Sequence, residues 1–578
     1  MTGVATPPAA HPAGETTAAG GGSGPRGQGP QVGARSRWWA ALAVPPLAFV
    51  AVFFLWPVAA IVVRGLRPDG VWDLSALGDV LTDPVIRRVA WFTLWQAVAS
   101  TALCVVIGLP GAAAFARYRF AGKRVLWAVL LVPFVLPTVV VAVALLGVVG
   151  PNGMSGVDLS GSIWAILLAH LFFNYAVVVR TVGSAWSTVD PALEEAARTL
   201  GASPWRAFRE VTWPLLRPAV AAAASIVFLF CFTSFGVVLI LGGVRQRTLE
   251  VEIYDQTTRF LHLDTAAALA LLQLAAVVAA LTWFGRAQRR RAVPVHQRRA
   301  TEVARAPRGV RERAFLGANL ALMAALLAAP LLVLVGRSLS TPDGWGFGNY
   351  RALASVGRGS TAFVAPTEAI ANSLLFALGA TVVAVVLGAC ASWAIAGAGE
   401  DHGARWARWT DTALMVPLGT SAVTVGFGFL VAFDEPPLAL RSSVWLVPLA
   451  HAVVALPFVV RILVPSIRSI DPALREAASV LGASPARVWR EVDLPVVGRA
   501  LAVASGFAFA VSLGEFGATL FLARPDRPTL PVAIYRELGR PGPVAFGQAM
   551  ALSVILMVVT TVVVLVIDRL RPPGSAEF

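Results

Sequence analysis

Eight polar residues stand inside the long apolar runs of this 578-residue chain: Gln96, His170, Asn174, Ser234, Gln273, Asn372, His451 and Glu515. A polar group surrounded by hydrocarbon is costly, so each must find a partner or line a pathway. His170, Asn174, Ser234, His451 and Glu515 are the candidate pathway groups. The imidazoles of His170 and His451 could bind a metal or hold a proton. Because they recur at a fixed interval, they read as helix-packing or loop-anchoring groups, and no metal site is assigned. Glu515, in LGEFG, occupies the position that matches Ser234. Its carboxylate would suit a cationic solute, or would pair with an arginine or sit near the outer interface, and the residues leave both open. No Ser/His/Asp set, HExxH or paired-acid cluster is present, so no catalytic residue is assigned. The chain also lacks GxxxxGK[ST], and its one lysine, Lys123, has the wrong neighbours for a phosphate loop.

The elements that must position these groups are membrane spans. Apolar residues make up 57% of the chain and charged residues 14%, with a mean hydropathy of +0.72. A soluble domain carries about 25% charged residues. Many runs reach the ~20 residues needed to cross a bilayer core. The expected spans are near Trp38–Val63, Val89–Ala116, Val125–Val149, a fourth ending near Gly183, Arg217–Leu241 and a sixth ending near Phe284. Six more lie near Ala314–Val335, Ala369–Ala396, Trp409–Phe433, Val444–Val464, Arg499–Phe521 and Val544–Ile567. Pro133 and Pro137 predict a kink in the third span. Arg64–Arg88 and Gly242–Asp264 read as outer loops, and RYRFAGKR (Arg117–Arg124) as a cytoplasmic one. Cys104, Cys231 and Cys390 lie in apolar runs without a CxxC pair and read as packing residues.

The net charge of +15 is concentrated in loops, which fits the positive-inside rule better than a nucleic-acid surface. Residues 1–36 read as a disordered cytoplasmic tail with no signal peptide. A first domain is expected over 37–285 and a second over 314–570, with a short tail over 571–578. The intervening Arg286–Arg313 holds ten arginines against two glutamates and reads as a cytoplasmic linker.

Between the fourth and fifth spans lies DPALEEAARTLGASPWRAFREV (Asp190–Val211), which returns as DPALREAASVLGASPARVWREV (Asp471–Val492). Sixteen of the 22 positions are identical at an offset of 281, which marks a duplication. In each copy an aspartate N-cap precedes a proline suited to the first helical position. Leu193, Ala196, Ala197 and Leu200 then form an apolar stripe, and Gly201 can end the helix in the left-handed region. Ser203-Pro204 starts a second short helix that Pro214 closes. Asp471, Gly482, Ser484 and Pro495 repeat the punctuation. At the same offset His170 matches His451, Arg180 matches Arg461, Phe235-Gly236 matches Phe516-Gly517, and Ile253-Tyr254 matches Ile534-Tyr535.

EAARTLG (Glu195–Gly201) with VTWP (Val211–Pro214), and EAASVLG (Glu476–Gly482) with VDLP (Val492–Pro495), resemble the EAA loop of ABC importer permeases. The departures are Val for Ile in both copies and Trp213 for Leu in the first. The resemblance implies an all-α integral membrane protein of about twelve transmembrane helices. They would form two parallel six-helix type I permease domains, related by an axis along the membrane normal. It places the chain in a bacterial cytoplasmic membrane, multi-pass, with both termini cytoplasmic. Glu195, Ala196, Ala197, Gly201, Pro214, Glu476, Ala477, Ala478, Gly482 and Pro495 would couple the chain to a cytoplasmic ABC ATPase, a homodimer. ATP and Mg would sit on that partner, and this chain would bind no cofactor. An extracytoplasmic solute-binding protein would deliver the solute. Single-chain fusions of two such domains resemble thiamine and ferric-iron permeases. CFTSFGVVLILGG (Cys231–Gly243), TLEVEIY (Thr248–Tyr254) and LLAHLFFN (Leu167–Asn174) look most like the thiamine permease.

A secondary carrier of the major facilitator type would also show six plus six spans. It would need a G-x-x-x-D-R/K-like loop between the second and third, where this chain has RYRFAGKR without an aspartate. It would have no reason to repeat a cytoplasmic helix pair.

Overall fold

Four of the prolines in the membrane helices sit just after a widened turn of backbone. A proline inside a helix cannot donate to the carbonyl four residues back, and its ring crowds that carbonyl. Here the helix does not break but widens to a π turn upstream. The π turns Ala51–Leu55, Phe208–Thr212, Ala324–Ala328 and Trp489–Asp493 each end two residues before a proline: Pro57, Pro214, Pro330 and Pro495. The motif prolines Pro214 and Pro495 therefore do not close the segment, as the sequence predicts. The helix runs through them into the membrane.

In a computed structural model that describes residues 41–67, 75–130, 132–289, 304–354, 364–397, 403–436 and 438–570, nearly everything is helix. The predicted tails at 1–36 and 571–578 and half of the arginine-rich linker, residues 290–303, lie outside the described residues. In the first half the main helices are α1 (Val44–Leu66), α2 (Pro84–Arg117), α3 (Thr138–Val149), α4 (Ile163–Ser187), α5 (Pro191–Thr199) and α6 (Pro204–Phe232). They continue with α7 (Gly236–Leu241), α8 (Leu249–Thr258) and α9 (Leu263–Arg286). The second half has α10 (Gly309–Leu339), α11 (Pro366–Gly397), α12 (Gly403–Met415), α13 (Ala422–Ala432), α14 (Leu446–Arg468), α15 (Pro472–Val480) and α16 (Ala486–Gly514). It ends with α17 (Gly517–Leu522), α18 (Leu530–Leu538) and α19 (Pro543–Ile567).

Among the described residues ten helices are long and apolar enough to cross a membrane, or eleven if one bent pair counts as a span, against the about twelve expected. The third span of each half is the one broken by proline. Lys123–Val149 divides into Lys123–Val129, Val132–Val135 and α3, with Pro133 and Pro137 at the breaks. Its counterpart turns through 97° between Gly419 and Ala422, after Pro417. The predicted outer loop Gly242–Asp264 is also not simple loop, because it contains α8, most of whose side chains are buried.

The first span of each half leans on the other half. Phe53 and Trp56 of α1 pack on Phe433, with ring centroids 5.6 and 6.0 Å apart. A Cβ on Gly428 would lie 2.9 Å from Pro57, so the glycine lets α1 and α13 touch. Reciprocally, Phe315 of α10 packs on Tyr118 at the end of α2. Within each half a glycine brings two spans together. A Cβ on Gly108 would fall 2.7 Å from Val178, and one on Gly388 2.5 Å from Val459. Val178 and Val459 are repeat mates, so the halves share this contact.

Candidate coupling and translocation sites

Local chemistry explains the two repeated helix pairs. The Asp190 carboxylate accepts from Ala192 N at 3.0 Å, and Asp471 from Ala473 N at 2.9 Å. At the other end Gly201 has φ +90° and Gly482 φ +81°. The chain reverses there so that Ala202 N reaches Ala197 O, and Ala483 N reaches Ala478 O, both at 3.0 Å. This is the glycine-terminated helix end the sequence predicts. Ser203 and Ser484 then cap the following helices.

The apolar side chains of these pairs are uncovered. Leu200 is 89% exposed and Leu481 87%, with Leu193, Leu474, Val480 and Trp205 also exposed. Glu195, Ala196, Glu476 and Ala477 face out, and Ala197 and Ala478 are half-buried. No residue of α5 or α15 is buried. Both elements present free leucines beside free glutamates, a surface suited to a groove in another protein.

What holds α5 and α15 to the bundle escaped the sequence reading. Glu194 takes Arg117 of α2 as an ion partner and accepts from Thr212 Oγ1 at 3.2 Å. The Arg117 guanidinium also lies over the Trp186 ring, 5.2 Å from its centroid. In the second copy the charge is reversed. Arg475, the mate of Glu194, donates to Asp493, the mate of Thr212, at 2.7 Å, and lies over Trp393. Each tie spans 18 residues, from the motif helix to the π turn of the following span. The signal available was the joint change of Glu194 to Arg475 and Thr212 to Asp493 between otherwise matching copies. Arg305 of the linker is tied to the same end of α2. Its backbone exchanges hydrogen bonds with Arg117 and Arg119, and its side chain pairs with Glu312.

The five candidate pathway residues come together as two buried sets, one in each half. His170 bonds Ser100 Oγ at 2.8 Å and Ser234 Oγ at 2.9 Å, and Asn174 donates to His170 O. His451 bonds Ser512 Oγ at 2.8 Å and Thr519 Oγ1 at 2.7 Å, with Glu515 Oε2 at 3.3 Å. Glu515 also accepts from Ala518 N and Thr519 N, so its carboxylate caps the start of α17. These groups are hydrogen-bonded to one another, and each histidine pins α4 or α14 to the far end of α6 or α16.

Aromatic residues face one another across the two halves. Phe235 stacks on its repeat mate Phe516, with centroids 5.7 Å apart. Tyr254 meets Phe235 edge-on at 5.6 Å, and Tyr535 meets Phe516 edge-on at 5.7 Å. A residue touches its own repeat mate only on the axis that relates the halves. Gly236 permits the approach, since a Cβ there would lie 3.1 Å from the Phe516 ring and 2.6 Å from Thr138 Oγ1. One helical turn before Tyr254, Glu250 is fully buried. Gln273 donates to its Oε1, and Ser421 of the second half faces the same carboxylate. Its Oε2 has no hydrogen-bond partner. Burial pushes this carboxyl up to about 8.

Two segments of the chain, residues 105–293 and 385–572, match the family described as the binding-protein-dependent transport system inner membrane component. The thiamine transport system permease protein of Brucella abortus is 30% identical over 513 residues, covering 86% of this chain and 90% of that protein. Its namesake from Salmonella typhimurium is 28% identical, covering 86% and 91%. The one from Escherichia coli is 28% identical, covering 80% and 85%. A solved bacterial ABC transporter involved in alginate import aligns to 44% of this chain at a TM-score of 0.38 and 15% identity. The chain therefore belongs to the binding-protein-dependent family of ABC importer permeases, and it carries the family's membrane domain twice.

Proposed function

We infer that this permease moves thiamine, or a phosphate ester of it, inward across a bacterial cytoplasmic membrane. The solute would be handed over by an extracytoplasmic binding protein and driven by a separate ATPase homodimer that carries the ATP and Mg. The observation that carries the ATPase reading is the pair of uncovered motif helices. Two copies of an apolar, glutamate-flanked surface, each tied to a membrane helix by a buried-side ion pair, are what a pair of identical motors would grip. Glu195 and Glu476 form charge-assisted bonds at the groove rim, while Leu200 and Leu481 fill its floor. ATP-driven closing of the motors moves α5 and α15, and with them α6 and α16, rocking one half against the other.

The choice of thiamine is supported by the relatives, three of which carry that name at 28–30% identity over four fifths or more of this chain. The test is reconstitution of the permease with its ATPase and binding protein in liposomes, comparing uptake of labelled thiamine and ferric iron with and without ATP. ATP-dependent thiamine uptake is the expected result. Uptake of iron alone would reassign the solute. Uptake that persists without ATP on an ion gradient would return the chain to a secondary carrier.

A further inference from the structure

We propose that the four rings where the halves meet are the point at which the solute is recognised: a flat heteroaromatic cation slots between Phe235 and Phe516, with Tyr254 and Tyr535 at its edges and Glu250 as its counter-charge. This rests on the reading of thiamine as the solute and adds the residues that select it.

Phe235 and Phe516 lie on the axis between the halves, so a solute that passes between the halves must pass them. Both are buried, and their rings are stacked on each other rather than on neighbours of their own half. When the halves rock apart by about 3.5 Å, one aromatic thickness, a planar ring replaces the single stack with two. Tyr254 and Tyr535 already stand edge-on to the pair, an arrangement that closes the sides of a slot. A positive ring is favoured over a neutral one because aromatic faces attract cations.

The second, independent observation is Glu250. Ordinary packing of four rings has no use for an acid; burial holds this one mostly protonated, and a cation arriving beside it favours loss of that proton, so the countercharge appears with the solute. Glu250 is fully buried, with Oε2 unpartnered, on the same face of α8 as Tyr254. The arginines nearby are already engaged. Arg247 and Arg259 pair with Asp255, Arg247 also faces Glu252, and Arg536 donates to the Pro525 carbonyl. Pro531 stands at the matching position in the second half. The rings are thus doubled and the countercharge is single, which suits one monovalent ring. A hydrated or chelated metal ion offers no face for two phenylalanines.

The experiment uses the complete transporter in liposomes, with labelled thiamine uptake measured against the concentration of loaded binding protein. F235L/F516L keeps the site apolar, at a smaller volume, and removes the π faces. It should lower kcat at least about tenfold while KM for the loaded binding protein stays within about twofold of wild type. F235Y/F516Y, which restores the faces, should recover most of the rate, an outcome a merely structural role would not give. E250Q should lower kcat about tenfold, and E250D should recover part of it. Wild-type rates in F235L/F516L, or a tyrosine pair no better than the leucine pair, would overturn the slot while leaving thiamine as the solute. Absence of thiamine uptake by the wild-type complex would instead remove the solute reading, and the slot with it.

Discussion

Replacing Gly201 and Gly482 with valine tests whether the elbows after α5 and α15 transmit force. Both glycines hold positive φ, +90° and +81°. A Cβ at either one meets nothing within 4 Å, so the substitution introduces no clash. What remains is the cost of a left-handed backbone in a β-branched L-residue, about 1–2 kcal/mol for each elbow. That is a factor of about 5 to 30 in the population of each turn. Membrane insertion should be untouched, because both elbows lie outside the spans. ATP-driven uptake, measured in liposomes at equal incorporated protein, should fall about fivefold or more in each single variant and further in the pair. Asparagine tolerates the left-handed region, so G201N/G482N should stay within about twofold of wild type. Normal uptake in the valine pair would refute the assignment of these elements as coupling helices. Equal loss in the asparagine pair would refute the conformational reason, pointing instead to a partner surface that needs a bare backbone.

Two further outcomes follow from packing. Arg475→Ala strands Asp493, which is 6% exposed, and should cost about 2–3 kcal/mol, below the figure for a fully buried pair because the arginine is partly wet; adding Asp493→Thr, the residue the first copy has there, should restore most of the melting temperature. Gly108→Ala and Gly388→Ala force α2 from α4 and α11 from α14 and should each lower stability by about 1–3 kcal/mol, read by thermal unfolding in nanodiscs, with Val178→Ala or Val459→Ala as the relieving second change.

How much of this was legible in the sequence depends on whether a feature is local or relational. The N-caps, the glycine elbows and the helices between them follow from residues a few positions apart, and α5 and α15 lie where the motif places them. The duplication also pointed to the aromatic pairs, although not to their stacking on each other. Proline is only partly legible. Pro214 and Pro495 look like terminators but are absorbed by π turns; Pro133 and Pro137 predict a kink and the span does break there, whereas Pro417 breaks what reads as continuous apolar span. The reason is that hydropathy reports burial along the chain and is blind to the path of the backbone. Helix α8 was hidden because Glu250, Glu252 and Asp255 make its segment look like water-facing loop, although all three side chains are buried. The sequence leaves Glu515 open between a pathway acid and a paired one; that its carboxylate caps α17 is visible only in the fold, which starts a helix two residues on.

The repeated motif helices and the aromatic rings stand at the two ends of single rods. Helix α6 runs without interruption for 29 residues, from just after the Gly201 elbow to Phe232, and α16 for the same length to Gly514. At 1.5 Å per residue each is about 43 Å long. Phe235 and Phe516 follow directly on the last turn. At the near end the 18-residue ties, Glu194 to Thr212 and Arg475 to Asp493, join the motif helix to the rod, so that under the proposed function a swing of one would carry the other along. At the far end His170 and His451 pin the rod to α4 and α14 through Ser234 and Ser512. A rod held to its neighbour at one end and pulled at the other tilts rather than slides. Tilting two such rods in opposite senses separates Phe235 from Phe516 without unfolding anything between. The reversal of charge between the two ties fits this view. What both halves preserve is the attachment, not the identity of the acid or base that makes it, because a lever needs a joint and is indifferent to its sign.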